Sequence, residues 1–322
     1  MITEIKLPKR NNARSRNLLL GQPMTAKLTE IEPTAIRMDP IRSCAAWIGA
    51  QFIYFLVWLF GKRISFDQTP WLKGPFGSEY IGDQPYEECA RDEGLVVQRD
   101  AQSGGLIHEF AQMKGETFDP NLVDEKIRQF YENTAAYRMD VWAQSYFPSN
   151  IALWLLVSTI CRKVNQLNFP IRALDTAKGM TSEIVLLNTP DGHRKYTGWF
   201  RQVLGTNRVI YTGFYMLGGV PLHDSLCIKV VFPMPDGNAT VILKPSAGPN
   251  GEFLLSSAGS GFGDAGFYRI QKRKNVVRAW RINSLRETFR VYVDDVDVLR
   301  CDHNVRFLGL PVISLHYRIE TN

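Results

Sequence analysis

No signature that would announce a catalytic chemistry is present in this 322-residue sequence. No serine stands in a G-x-S-x-G elbow, so a serine nucleophile has no support. The five histidines, His108, His193, His223, His303 and His316, form neither H-x-H nor H-x-x-x-H, and no metal site is expected. Cysteine is equally sparse. Cys44, Cys89, Cys161, Cys227 and Cys301 are an odd set without a C-x-x-C pair. That pattern predicts buried thiols in a reducing compartment rather than a disulfide framework or zinc site. Gly261, Gly263 and Gly266 match G-x-G-x-x-G, but an alternating strand follows them where a dinucleotide site needs a helix, so a loop is expected and no cofactor is implied. One N-glycosylation pattern, Asn238-Ala239-Thr240, is common enough by chance to carry no weight.

Charge of one sign is also missing from most of the chain. The formal net charge is +6, and residues 1–63 hold ten bases against four acids, which accounts for all of it. The neutral remainder offers no basic face interleaved with stacking aromatics, so nucleic acid is not an expected partner. A mean hydropathy of -0.16 excludes a polytopic membrane protein.

One long apolar run is present. Residues 1–42 form a basic arm with Pro8, Pro23, Pro33 and Pro40 too closely spaced for a long helix, and Ser43–Gly61 then carries no charge between Arg42 and Lys62-Arg63. A span of about 18–20 residues crosses a membrane. The residues are apolar all round, so the helix at 43–63 is membrane-associated or buried in the protein. Basic flanks predict attraction of residues 1–63 to an anionic membrane surface. A helix lying on or dipping into the cytoplasmic face is preferred over a single-pass anchor, because five unpaired cysteines fit an exported domain poorly.

Residues 64–168 are rich in proline and glycine and read as loops carrying short helices. Asp119-Pro120 opens a helix to about Tyr137, and the run after Ser149-Asn150, with about a dozen apolar residues, is expected in the core. From residue 169 the period changes to two. Turns at Thr189–Gly192, Pro235–Asn238 and Gly248–Gly251 separate about ten strand-like segments. The fold class is therefore α+β: an N-terminal helical layer with one long apolar helix, and a C-terminal antiparallel β domain, barrel-like or strongly curled.

Candidate functional residues come from strand alternation. In Val312–Ile319 the positions Ser314, His316 and Arg318 share a face opposite Ile313, Leu315 and Tyr317. On a cavity wall, Arg318 would anchor an anion or carbonyl and His316 would act as acid or base. Asp302-His303 is a second acid and base pair. Tyr211 and Tyr215 share a face, and Gly213 between them leaves a gap for a flat ligand. Together these predict a binding protein for an apolar or amphipathic small molecule or lipid, held with Tyr211, Tyr215 and Ser314 in a barrel-like pocket. The alternative is a cofactor-independent isomerase, cyclase or hydratase using His316, Arg318, His303 and Asp302 on such a ligand.

Overall fold

The structure, a computed structural model, describes residues 38–99, 101–171, 173–177, 179–204 and 208–322. The expected basic arm lies, up to residue 37, outside the described residues. Helix α1 is Pro40–Phe60, started by Asp39, whose carboxylate accepts from the Arg42 N–H, and by a proline in the first turn. Strand β1 (Lys62–Ile64) follows, then helix α2 (Pro85–Glu93), which ends on Gly94 in the left-handed conformation, and strand β2 (Val96–Gln98).

The helix expected from Asp119 is interrupted. Asp119 caps only a single turn, Pro120–Leu122, after which Asp124 caps the true helix α3 (Glu125–Glu132), and Tyr137 already begins strand β3 (Tyr137–Ser145). Two aspartates five residues apart each captured the N–H groups next to them, so the segment breaks in two. Helix α4 (Ser149–Leu156) runs through a π turn, Val157–Cys161, into a short α5 (Arg162–Val164).

The remainder is strand: β4 Glu183–Asn188, β5 Arg194–Gln202, β6 Val209–Val220, β7 His223–Met234, β8 Gly237–Ala247, β9 Phe253–Ser256, β10 Gly266–Arg273, β11 Val276–Arg281, β12 Leu285–Val293, β13 Leu299–Phe307 and β14 Leu310–Thr321. All fourteen strands belong to one sheet, whose main path runs β2-β4-β5-β6-β7-β8-β9-β12-β13-β14-β3. Every pairing is antiparallel, as the short hairpin turns require. Strand β8 forks the sheet: Gly237–Ile242 pair with β10, and Lys244–Ala247 with β9. Strands β1, β2 and β3, from the stretch before residue 169, pair with β11, β4 and β14.

The sheet curls but does not close. Strands β2 and β3 end the main path without pairing to each other, so the barrel expected from strand number is not formed. The hollow is packed by the chain itself. Phe110, Phe118 and Tyr131 enter it from residues 106–132 and meet Phe253 of β9, with Phe110 and Phe253 rings 4.9 Å apart and Phe130 packed against Tyr131. This aromatic cluster substitutes for the closure that would otherwise bury the inner face. On the opposite face, Tyr86 of α2 lies so close over β5 that a Cβ at Gly198 would fall 2.4 Å from its ring. Asn238 of the glycosylation pattern is fully buried and donates to the Gly74 and Pro75 carbonyls, which removes it as a glycan acceptor. The glycine-rich stretch is a loop between β9 and β10, folded around Asp264, whose carboxylate accepts from the Ser260 and Ala265 N–H groups.

Candidate functional site

The outer face of α1 is apolar and uncovered. Trp47, Phe52, Phe55 and Trp58 are each more than half exposed, whereas Ala46 and Val57, on the opposite side of the helix, are sealed. The helix has the length and composition to cross a membrane. It is also fastened to the domain: the Tyr54 hydroxyl donates to Asp236, the Phe60 ring stacks on Trp280, and Arg278 donates to the Gly61 carbonyl. Helix α4 differs from its expected place in the core, since none of its residues is buried and Ile151, Trp154 and Leu155 are about half exposed. One turn of apolar residues on every side exceeds what a single sheet contact can cover.

The inner face of the sheet carries a polar nest within the apolar core. Trp199 and Arg201, two apart on β5, point the same way as Tyr211 and Tyr215 on β6, and Arg201 lies directly opposite Tyr211. The Arg201 side chain is among the largest that are fully buried. Its guanidinium carbon is 5.4 Å from the Trp199 ring centre and 5.9 Å from that of Tyr317, and it reaches the Tyr211 hydroxyl, which in turn meets Tyr215. Its Nε has no hydrogen-bond partner, and among the described residues no carboxylate forms an ion pair with the guanidinium. Burial pushes the Tyr211, Tyr215 and Tyr317 phenols well above the usual tyrosine range, so all three remain hydrogen-bond donors. Trp199 also donates to Ser182 Oγ at 2.8 Å. Ser182 is on the wall of a cleft of about 670 Å3 along the free edge of β3, lined by Tyr137, Met139, Val141, Leu174 and Met180. Trp199 thus links the cleft to Arg201.

The residues expected from strand alternation are divided between the two faces. His303, Tyr211 and Tyr215 lie on the inner face; His303 is buried, stacks on Phe289 at 3.9 Å and has Glu287 at 3.4 Å. Asp302, Ser314, His316 and Arg318 lie on the outer face. His316 and Asp302 oppose each other on β14 and β13 with 2.8 Å between Nδ1 and Oδ1, but the His316 side chain is 52% exposed and Arg318 is turned to Glu320. Ser314 is buried by Tyr146, whose hydroxyl it accepts, and donates to Asn304. The structure therefore does not bring His316 or Arg318 into one pocket with the tyrosines, nor the adjacent Asp302 and His303 to one face. The gap expected at Gly213 is filled, because Phe232 of β7 lies 3.3 Å from where a Cβ would stand. Arg201 is the residue the sequence reading passed over; its signal was its parity with Trp199 on a strand where the alternate face was already apolar. Among the described residues no cluster of His, Cys, Asp and Glu could hold a metal ion.

No family model matches the sequence, and no solved structure resembles it significantly. Among curated proteins it is similar to an uncharacterized membrane protein of Bacillus subtilis (strain 168), YndJ, at 23% identity over 234 residues. That alignment covers 70% of this chain and 40% of the relative, so the chain spans well under half of that protein's length.

Proposed function

We propose that this protein is a membrane-associated binding protein for an amphipathic small molecule with an anionic end. The observation that carries the reading is Arg201. A permanently cationic group taken out of water without a carboxylate costs several kcal/mol, and such a group is a waiting partner for an anion. Its planar fork suits a carboxylate or phosphate, with the Tyr211, Tyr215 and Tyr317 hydroxyls as further donors. The apolar side chains of the β3 cleft beyond Trp199, among them Met139, Val141 and Met180, suit the rest of such a molecule, and Arg138 and Asp140 share its wall. No barrel is formed and the inner face of the open sheet is packed by the chain itself, so the cleft along β3 takes the role first expected of a barrel.

Membrane association is supported by the uncovered apolar face of α1 and by the distant membrane-protein relative. A cytoplasmic surface suits five free cysteines. The acid and base alternative draws support from the solvent-facing His316–Asp302 pair and from the buried His303 beside Glu287.

Calorimetry with dodecyl phosphate and with dodecanol tests the ligand class. Dodecyl phosphate is expected to bind and dodecanol to bind at least tenfold more weakly, with Arg201→Met abolishing the difference in a protein of unchanged circular dichroism. Equal binding of the two amphiphiles, or an Arg201→Met variant that still prefers the phosphate, overturns the assignment.

A further inference from the structure

Resting on that membrane reading, we infer that α1 does not cross the bilayer: it lies in the plane of an anionic leaflet, and α4 is a second element inserted beside it. The argument is the placement of the contacts along α1. Ala46 is 1% exposed, a Cβ at Gly49 would lie 2.8 Å from Ile160 Cδ1, Tyr54 is bonded to Asp236, Val57 is 1% exposed and Gly61 is bonded to Arg278. At about 100° per residue these five points fall within one side of the helix, so they form one stripe that follows it from its second turn to its end. At about 1.5 Å per residue only about 9 Å of helix, Pro40–Ala45, extends beyond the stripe, against about 30 Å of hydrocarbon to be crossed. Spanning would carry Asp236 and Arg278 into the bilayer or tear the contacts apart.

The partner beneath the stripe is itself fixed to the sheet at both ends. Before α4, the Tyr146 hydroxyl bonds to Ser314 of β14; after α5, the Val164 carbonyl accepts from Ile81 and Asn168 donates to the Val209 carbonyl. Between them, Leu153 packs on Val141, Ile313 and Leu315. The α4–α5 rod therefore lies along the sheet, with α1 alongside it through Gly49 and Ile160. Two apolar faces are left open: Trp47, Phe52 and Phe55 on α1, Trp154 and Leu155 on α4.

Charge identifies the occupant. Lys62, Arg63 and Lys163, all exposed, stand at the ends of the two rods, with Arg42, ion-paired to the Asp39 cap, at the start of α1, and neither rod has an acidic residue in its first turn. Tryptophans on apolar faces with lysine and arginine at the ends are the composition of a helix seated at the boundary of headgroups and acyl chains. A second protein copy would instead bring these same positive ends together.

The experiment uses the full chain and vesicles of phosphatidylcholine with 30 mol% phosphatidylserine, about the charge of an anionic leaflet. Wild type is expected to sediment with them. Phe55→Glu and Trp154→Glu, both at exposed positions, are each expected to lower partitioning at least tenfold without change in circular dichroism. Cys44 is the exposed one among the five free cysteines. After reconstitution of an Arg63→Cys variant, an impermeant maleimide should modify Cys44 and the thiol introduced at position 63 from the same side. Wild type that ignores vesicles sinks the membrane reading itself. Wild type that binds while Trp154→Glu binds equally well, or thiols at positions 44 and 63 that label from opposite sides, overturns the in-plane pair alone. A lipid-free dimer that Phe55→Glu dissociates gives the face to a second copy and overturns it too.

Discussion

The Tyr54 hydroxyl on α1 donates to the Asp236 carboxylate in the β7–β8 turn at 2.8 Å, joining the apolar helix to a central hairpin of the sheet across 182 residues of sequence. Asp236 sits there with positive φ, so the turn aims its carboxylate at the helix. Burial is the first cause that raises the Tyr54 pKa, and the Asp236 charge adds to it, which keeps the phenol a donor through the physiological range.

Removing that one hydroxyl should loosen α1 without unfolding the sheet. Tyr54→Phe is expected to lower stability by about 1 kcal/mol, the usual net worth of a hydrogen bond, and to speed amide exchange throughout Pro40–Phe60. Hydrogen exchange read by mass spectrometry checks this. Unchanged protection of α1 would mean that the Phe60–Trp280 stack and the Gly49–Ile160 contact hold the helix by themselves.

Arg201 should behave unlike a structural buried arginine. Breaking a buried ion pair costs 3–5 kcal/mol, roughly, because the partner carboxylate is stranded. Arg201 strands no carboxylate among the described residues, so Arg201→Met is expected to change stability in urea by less than about 2 kcal/mol, the cation–π contacts with Trp199 and Tyr317 being offset by relief of the buried charge. A loss above about 4 kcal/mol would show that the nest is complete as it stands, without an anion.

His316 offers the contrast, being on the other face of the same sheet. Its pairing with Asp302 is open to solvent, and exposed pairs of this kind contribute about 0–1 kcal/mol. His316→Ala is therefore expected to shift stability by less than about 1 kcal/mol and to leave amphiphile affinity within twofold, while Arg201→Met abolishes the preference for phosphate. A His316→Ala variant with lost affinity would return the ligand to the outer face.

Much of this was legible because local patterns are local physics. The uncharged run before Lys62-Arg63, the Pro235-Asp236-Gly237 turn and the alternation of Val312–Ile319 all specify neighbours within a few residues. What the patterns cannot carry is which side of a strand becomes the inside. The Ser314, His316 and Arg318 face was correctly separated from Ile313, Leu315 and Tyr317, but the latter side is filled by the chain itself: Leu153 and Phe169 pack on Ile313 and Leu315, and Tyr317 joins the core that holds the 106–132 aromatics. Nor can a period name a partner: β3, in a stretch that reads as loops and helices, pairs with β14 from Tyr137↔Thr321 to Ser145↔Ile313. The apolar run of α4 was likewise visible, yet a dozen apolar residues fit a core and a surface equally well, and only the exposure of Trp154 and Leu155 shows that this run is not in the core.

The last expectation concerns Lys229, buried on β7 and donating to the Trp71 and Lys73 carbonyls, by which it pins the residues after β1 to the sheet. Burial lowers its pKa from 10.5 to about 8. In the unfolded chain the amine keeps its proton up to the higher value, so between these limits the unfolded state binds more protons than the folded one. Stability contributed by this site therefore rises with pH across that window, is complete above about 10.5, and is lost as pH falls through about 8. Lys229→Met removes the titration while leaving the two carbonyls without a donor, a loss that does not depend on pH. Subtracting the variant's stability from that of wild type at each pH also cancels the other titrating groups, including the buried Cys89 and Cys161 thiols pushed up to about 12, which act in the opposite direction. The difference is expected to grow in favour of wild type by up to about 3 kcal/mol between pH 8 and pH 10.5, read from urea unfolding. A difference that stays flat over that range would mean that Lys229 keeps its proton in the fold, with the two carbonyls stabilising the ammonium as well as water does.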